Sequence, residues 1–163
     1  MSELAPKPQG CVGCPAHTLG LSYVPGSGPL DAPVYMLGQG PGRTEAEGLW
    51  DAPTQQYVRA PFIGRAGWKL TDWMQKAGWP SNWRTTTRID NTVRCWLHKG
   101  GKDLEPTPKM VTHCRLAHWG PELAAHPRVL VISVGTTAIR TTYGQWAGEG
   151  TAGSLIHWEG FSL

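Results

Sequence analysis

Cys11-x2-Cys14, Cys95 and Cys114 are the only cysteines in the chain. A tight pair with two distant partners is the pattern of a four-thiolate metal site closed by folding, in which the metal staples separate chain regions together. Cys11 and Cys14 are too close to pair comfortably with each other, and no apolar leader precedes them. That argues against an oxidised secreted framework and for an intracellular, reducing, cytoplasmic setting. Two disulfides or four unrelated buried thiols are the bland alternatives. Spacing leaves zinc and an iron–sulfur cluster equally open. His113 and His118 flank Cys114 at helical spacing; since four thiolates suffice, both histidines are expected to face solvent.

A chain of 163 residues is the size of one domain with a real core. Its net charge of +3 permits a nucleic-acid partner without demanding one. Arg84, Arg88, Arg94, His98, Lys99 and Lys102 crowd one stretch, and Arg59, Arg65 and Lys69 another. These clusters read as DNA-phosphate contacts or as a solvated face. No apolar run approaches a membrane span, so a soluble protein is expected. Nine tryptophans stand beside two phenylalanines, and most are expected to be core or half-buried packing.

The elements that must position these residues follow from periodicity. The Pro/Gly/Ser-rich first thirty residues read as irregular chain pinned by the metal. Pro33 to Leu37 is a short apolar run feeding Gly38-Gln-Gly-Pro-Gly42, as a buried parallel strand feeds a ligand loop. Ala66, Leu70, Trp73, Met74 and Ala77 keep helical spacing, closed by Gly78. Thr87 to Cys95 alternates like a strand. Thr107-Pro108 is an N-cap with Pro at the first helical position, and that helix should reach about His118. Arg128 to Val134 is the clearest buried strand, followed by Gly135-Thr-Thr and a helix to about Tyr143. Leu155 to Leu163 reads as a hairpin or the start of a last strand. This alternation predicts an α/β fold in three αβα layers around a central, mainly parallel sheet.

In this order the landmarks resemble the iron–sulfur uracil-DNA glycosylases of family 4. Gly38-Gln39-Gly40-Pro41-Gly42-Arg43-Thr44-Glu45 is similar to that family's first motif, and Pro61-Phe62-Ile63-Gly64-Arg65-Ala66-Gly67 to its second. Asn91 before Cys95, Pro106-Thr107-Pro108 before the helix of Cys114, and Val129 to Thr137 complete the likeness, which covers most of the chain from Cys11 onward. The resemblance implies a single glycosylase-like domain over residues 1–163, with a [4Fe-4S] cluster rather than zinc on the four cysteines, in a structural role. It also implies a flipped uracil stacked on Phe62 and read by Asn91, with Gly38 and Gly40 allowing close approach. DNA, single-stranded or uracil-containing, is the implied partner, with Arg65, Arg94 and Lys99 among the contacts. By analogy a DNA polymerase or another replication protein is a second partner.

The chain departs from the family pattern in three places. Gln39 stands where the family has a glutamate that positions or activates water. An amide orients water without accepting its proton, and losing a general base costs about 10²–10⁴ in rate. The family's His-Pro-Ser loop is not found; Ile156 to Leu163 resembles the segment just before it, and His157 is out of context. Leu49 to Val58, with Trp50, Asp51 and Tyr57, is an insertion before Pro61. The first reading is therefore a DNA-binding glycosylase-like domain with weak or no excision. An active glycosylase in base excision repair, with Glu45, Glu47 or Asp51 replacing Gln39's function, is the second. A zinc-bound structural module without a nucleic-acid role is the third.

Overall fold

In the computed structural model, which describes residues 6–142, the elements in chain order are β1 (Gly20–Tyr23), β2 (Val34–Gly38), α1 (Arg43–Glu47), β3 (Leu49–Asp51), β4 (Gln56–Val58), α2 (Arg65–Lys76), β5 (Thr87–Asn91), β6 (Cys95–Lys99), β7 (Lys102–Asp103), α3 (Pro108–Cys114), α4 (Gly120–Ala125), β8 (Leu130–Ser133) and α5 (Thr136–Thr142). A parallel sheet in the order β5-β2-β8 lies at the centre. β2 pairs with β5 from Val34↔Thr87 to Gly38↔Asn91, and with β8 from Val34↔Leu130 to Leu37↔Ser133. The carboxyl ends of all three strands therefore share one edge, the edge where loops of an open α/β sheet hold ligands.

The strand-and-helix plan follows the periodicity, and its departures have physical causes. α2 forms where expected and ends at Gly78, whose φ of +86° suits glycine. Thr107 caps α3, its hydroxyl accepting from the Met110 N–H. Instead of stopping near His118, the helical path continues through a π-helical turn, Arg115–Trp119, into α4. The stretch Thr87 to Cys95 is β5, then non-strand residues 92–94, then the first residue of β6 in another sheet, and every residue across it is buried; its apparent alternation came from buried polar side chains. β6 joins β1 and β7 in an antiparallel sheet, so the first thirty residues contain a strand as well as irregular chain.

β8 is half-buried along its length, not fully buried, and Val129 is exposed. Trp83 and Trp119 are core residues, whereas Trp50, Trp68 and Trp73 are exposed, against the packing expected of them. Tyr143, Trp146, His157, Trp158 and the expected terminal hairpin or strand lie outside the described residues. No described helix is long and apolar enough to cross a membrane.

Three clusters make the core. Met36, Phe62, Met74, Trp83 and Ile89 pack on one side of the parallel sheet, and Tyr35, Leu37, Cys114, Trp119 and Ala138 pack as a second group. Residues from β6 and α3, Cys95, Leu97, Met110 and Val111 among them, enclose Ala16 in a third. The first cluster carries a pocket wall, and the other two carry the thiols.

Candidate functional site

At the carboxyl edge of the sheet a pocket of about 1050 Å³ opens, with Gln39, Gly40, Glu45, Phe62, Arg65 and Asn91 on its walls. Asn91 ends β5, is only 2% exposed, and its Nδ2 has no hydrogen-bond partner among the described residues. A buried amide N–H without a partner is costly unless a ligand or water supplies an acceptor. A Cβ added to Gly38 would lie 2.5 Å from Asn91 Oδ1 and 2.6 Å from Phe62 Cζ. The Phe62 ring and the Asn91 amide thus converge over a bare stretch of β2, and glycine there is a steric requirement.

Phe62 adopts φ +58°, a left-handed conformation that costs a phenylalanine about 1–3 kcal/mol and must be imposed by its surroundings. Its N–H donates to Glu45 Oε1, and its carbonyl accepts from Arg84 Nη2. Arg84 Nη1 also reaches the Pro61 carbonyl at 3.2 Å, and the guanidinium stacks on Trp83 with 4.8 Å to the ring centroid. A Cβ on Gly67 would fall 1.7 Å from the Phe62 carbonyl oxygen, so α2 can pass beneath this loop only as glycine. Glu45 Oε2 accepts from the Gly42 N–H at 2.7 Å. One carboxylate therefore ties the first loop to the second. Burial pushes its pKa up, against the pull of the Gly42 and Phe62 N–H groups and of Arg84.

Gln39 follows β2 with its backbone carbonyl accepting from Thr92 Oγ1 and its side chain on the pocket wall, where a Cβ at Gly135 would approach Gln39 Oε1 to 3.7 Å. Of the acids weighed as its replacement, Glu45 faces the pocket but is committed to backbone N–H groups. Glu47 is exposed and paired with Arg43, and Asp51 caps the turn at Thr54.

The four cysteines come from separate elements, Cys114 in the second core cluster and Cys95 in the third, with Cys14 packed against the third. Cys11 ends a 3₁₀ turn, Cys14 follows it, Cys95 opens β6 beside Tyr23 of β1, and Cys114 ends α3; all four are free thiols. Cys14 Sγ accepts from the Ala16 N–H and Cys114 Sγ from the Arg94 N–H, each at 3.4 Å. Burial raises the thiols of Cys11 and Cys114, and that of Cys95 to about 11, with the neighbouring thiols adding to the rise. Among the described residues no three His, Cys, Asp or Glu side chains close round a point as the ligands of a single metal ion do. The fit to a cofactor rests on donor chemistry: four soft thiols, two of them already receiving N–H···S bonds. His113 and His118 are half-buried and partnered, not simply turned to solvent. His113 Nε2 lies 2.9 Å from the Gly10 carbonyl, and His118 Nε2 lies 3.3 Å from Cys11 Sγ with its ring beside Tyr23.

A sequence model described as the Uracil DNA glycosylase superfamily matches residues 25–160. This chain belongs to the uracil-DNA glycosylase superfamily. It is similar to a Type-4 uracil-DNA glycosylase of Thermotoga maritima, 29% identical over 133 residues that cover 79% of this chain and 58% of that protein. It is also similar to a Type-4 uracil-DNA glycosylase of Archaeoglobus fulgidus, 30% identical over 104 residues covering 64% of this chain and 44% of that one. The chain spans about half the length of the curated relatives it matches.

Within this superfamily fold the basic residues divide sharply. Arg94 is 5% exposed and its guanidinium is spent on Asp90, Glu122 and the Tyr23 hydroxyl. Arg88 is 7% exposed and bonded to Glu122 and the Gly28 carbonyl. Arg84 holds the Phe62 loop. Against the expectation of phosphate contacts, the guanidinium groups of Arg88 and Arg94 are buried in ion pairs and that of half-buried Arg84 is engaged with the Phe62 loop. Lys99, Lys102, Arg65 and Lys69 are exposed, and Arg65 stands on the pocket wall. Sequence reasoning missed Arg84 as a support for Phe62 and Glu122 as the partner of two arginines, because neither contact is local.

Proposed function

We propose that this domain binds DNA, takes a flipped uracil into the pocket between Phe62 and Asn91, and excises it slowly or not at all. The observation that carries the reading is the partnerless, buried Asn91 Nδ2 beside the Phe62 ring. A uracil supplies what is missing: a carbonyl to accept from Nδ2 and a π face to stack on the ring. Glu45, Arg84 and Gly67 hold the ring in place before any base arrives, which lowers the ordering cost of binding.

Excision breaks the bond between the sugar's C1′ and the base nitrogen; the electron pair leaves with uracil, water adds to C1′, and the water's proton must be accepted. Gln39 can orient that water through its amide but takes no proton, and Glu45 is the one acid on the described pocket wall, with its oxygens already engaged. That combination supports a rate about 10²–10⁴ below that of an enzyme with a free carboxylate there. Cys11, Cys14, Cys95 and Cys114 would hold a [4Fe-4S] cluster. Bound there, it would supply iron–thiolate bonds joining the N-terminal segment to β6 and α3, a structural contribution.

A cleavage assay on uracil-containing single- and double-stranded DNA, run beside a binding assay, tests this reading. Binding with slow or absent cleavage is expected. Turnover typical of an efficient enzyme would assign the chain to active glycosylases, and absence of any DNA affinity would sink the reading. Anaerobically purified protein should be brown and carry iron and acid-labile sulfide, whereas colourless protein with stoichiometric zinc would rule the cluster out.

A further inference from the structure

The insertion between the two pocket loops folds as a hairpin that carries its apolar side chains outward. Leu49 pairs with Val58, Trp50 with Tyr57 and Asp51 with Gln56. Directly opposed residues share a face, so one face of the ribbon bears Trp50 and Tyr57 and the other bears Leu49 and Val58. Exposures are 57% for Trp50, 47% for Tyr57, 43% for Leu49 and 46% for Val58. Trp50 and Tyr57 meet edge to face at 5.3 Å between centroids. A two-stranded ribbon is marginal by itself, and exposed aromatics at such a place mark an interaction surface.

Where the hairpin is rooted says what it meets. Its first strand leaves α1, whose Arg43, Thr44 and Glu45 line the pocket. Its second strand leads through Arg59 into Phe62. The stem is pinned because Arg59 Nε donates to the Ala46 carbonyl at 2.8 Å and the Gly48 N–H to the Thr44 carbonyl at 2.9 Å. A strand that delivers a base to Phe62 and Asn91 must pass beside this root. The charges nearby suit a polyanion. Asp51 is turned to Thr54, while Arg65 on the pocket wall and Lys69 one turn further along α2 are exposed and form no ion pair among the described residues.

We propose that the β3–β4 hairpin is a stacking platform for unpaired bases of the DNA strand flanking the pocket, with Trp50 and Tyr57 as the contact rings. The inference rests on the proposed reading of the pocket. Stacking on an aromatic ring accepts any base and carries no charge, so its loss weakens binding without changing the salt dependence.

The test is a salt titration of binding to a dye-labelled single-stranded oligonucleotide carrying one uracil, with the same sequence as a duplex in a second arm. Trp50→Ala and Tyr57→Ala should each weaken single-strand binding about tenfold with an unchanged salt slope, and Trp50→Phe should retain most of the affinity. Leu49→Ser with Val58→Ser, on the opposite face, should change affinity little. Wild-type affinity that survives both alanine substitutions overturns the platform while leaving the pocket reading intact. So does an equal loss from both faces, which would mean that only the hairpin's integrity matters, and so does a loss confined to duplex. No affinity in the wild type overturns the pocket reading itself.

Discussion

The pocket and the thiol site are both built from residues far apart in sequence, yet they are held together by different means. The pocket is closed by the protein's own groups: Glu45 bridges two loops, Arg84 clamps the second, and Gly67 lets α2 pass beneath. On the thiol side, the N-terminal segment is tied to the helix by the contacts of His113 and His118 and enclosed through Ala16. The difference is that the pocket is preorganised by its own hydrogen bonds, whereas on the proposed reading the N-terminal segment depends on what Cys11 and Cys14 bind together with Cys95 and Cys114. Between them stands Arg94, which donates its backbone N–H to Cys114 and its guanidinium to Asp90 on the pocket strand.

Removing Arg94 should therefore blur the contrast most. Arg94→Ala leaves Asp90, fully buried, without its main cation, a loss worth about 3–5 kcal/mol, and urea titration should show both regions weakened together. Gly67→Ala should strike the pocket alone. A side chain 1.7 Å from the Phe62 carbonyl oxygen forces the loop to move, at a cost of about 3 kcal/mol, or roughly 6–12 °C in melting temperature. Removal of the proposed cluster, or Cys14→Ser, should do the opposite. Proteolysis before β1 should rise by about an order of magnitude while uracil-DNA affinity holds; if affinity falls equally, the two regions are not separable.

The smallest effect is on pH dependence. Burial works to raise the pKa of Glu122, but Arg94 and then Arg88 overcome it and hold the carboxyl below its ordinary value of 4.5. A group depressed in the folded state contributes stability above its unfolded pKa and loses it as pH falls through the folded one. The melting temperature should decline below about pH 4.5, and Glu122→Gln should lower it at neutral pH while flattening that acid limb. An unchanged acid limb in the variant would place the titrating group elsewhere.

Much of this was legible in the residues themselves. The apolar run ending at Gly38, the Thr107-Pro108 cap and the Phe62 to Gly67 stretch each declare a local conformation. What stayed hidden was long-range. Arg84, Arg88 and Arg94 look like surface arginines until Phe62 and Glu122 are brought to them by the fold, because charge in a sequence carries no information on burial. The split of Thr87 to Cys95 into β5 and β6 was masked by buried polar residues such as Thr87, Asp90 and Thr92. The outward turn of Trp50 depends on a hairpin register that its composition does not set.

The central claim is that a uracil is read by Asn91 against Phe62. Its most direct measurement compares the affinity of wild type and Asn91→Leu for two oligonucleotides that differ only in one uracil or cytosine, because cytosine turns an amine donor, not a carbonyl acceptor, toward Asn91 Nδ2. The account predicts that wild type prefers the uracil strand by about tenfold or more, as expected for a buried hydrogen bond gained or lost, and that the preference collapses in Asn91→Leu while general DNA affinity remains. Equal wild-type affinity for the two strands, or a preference that survives in the variant, would contradict it.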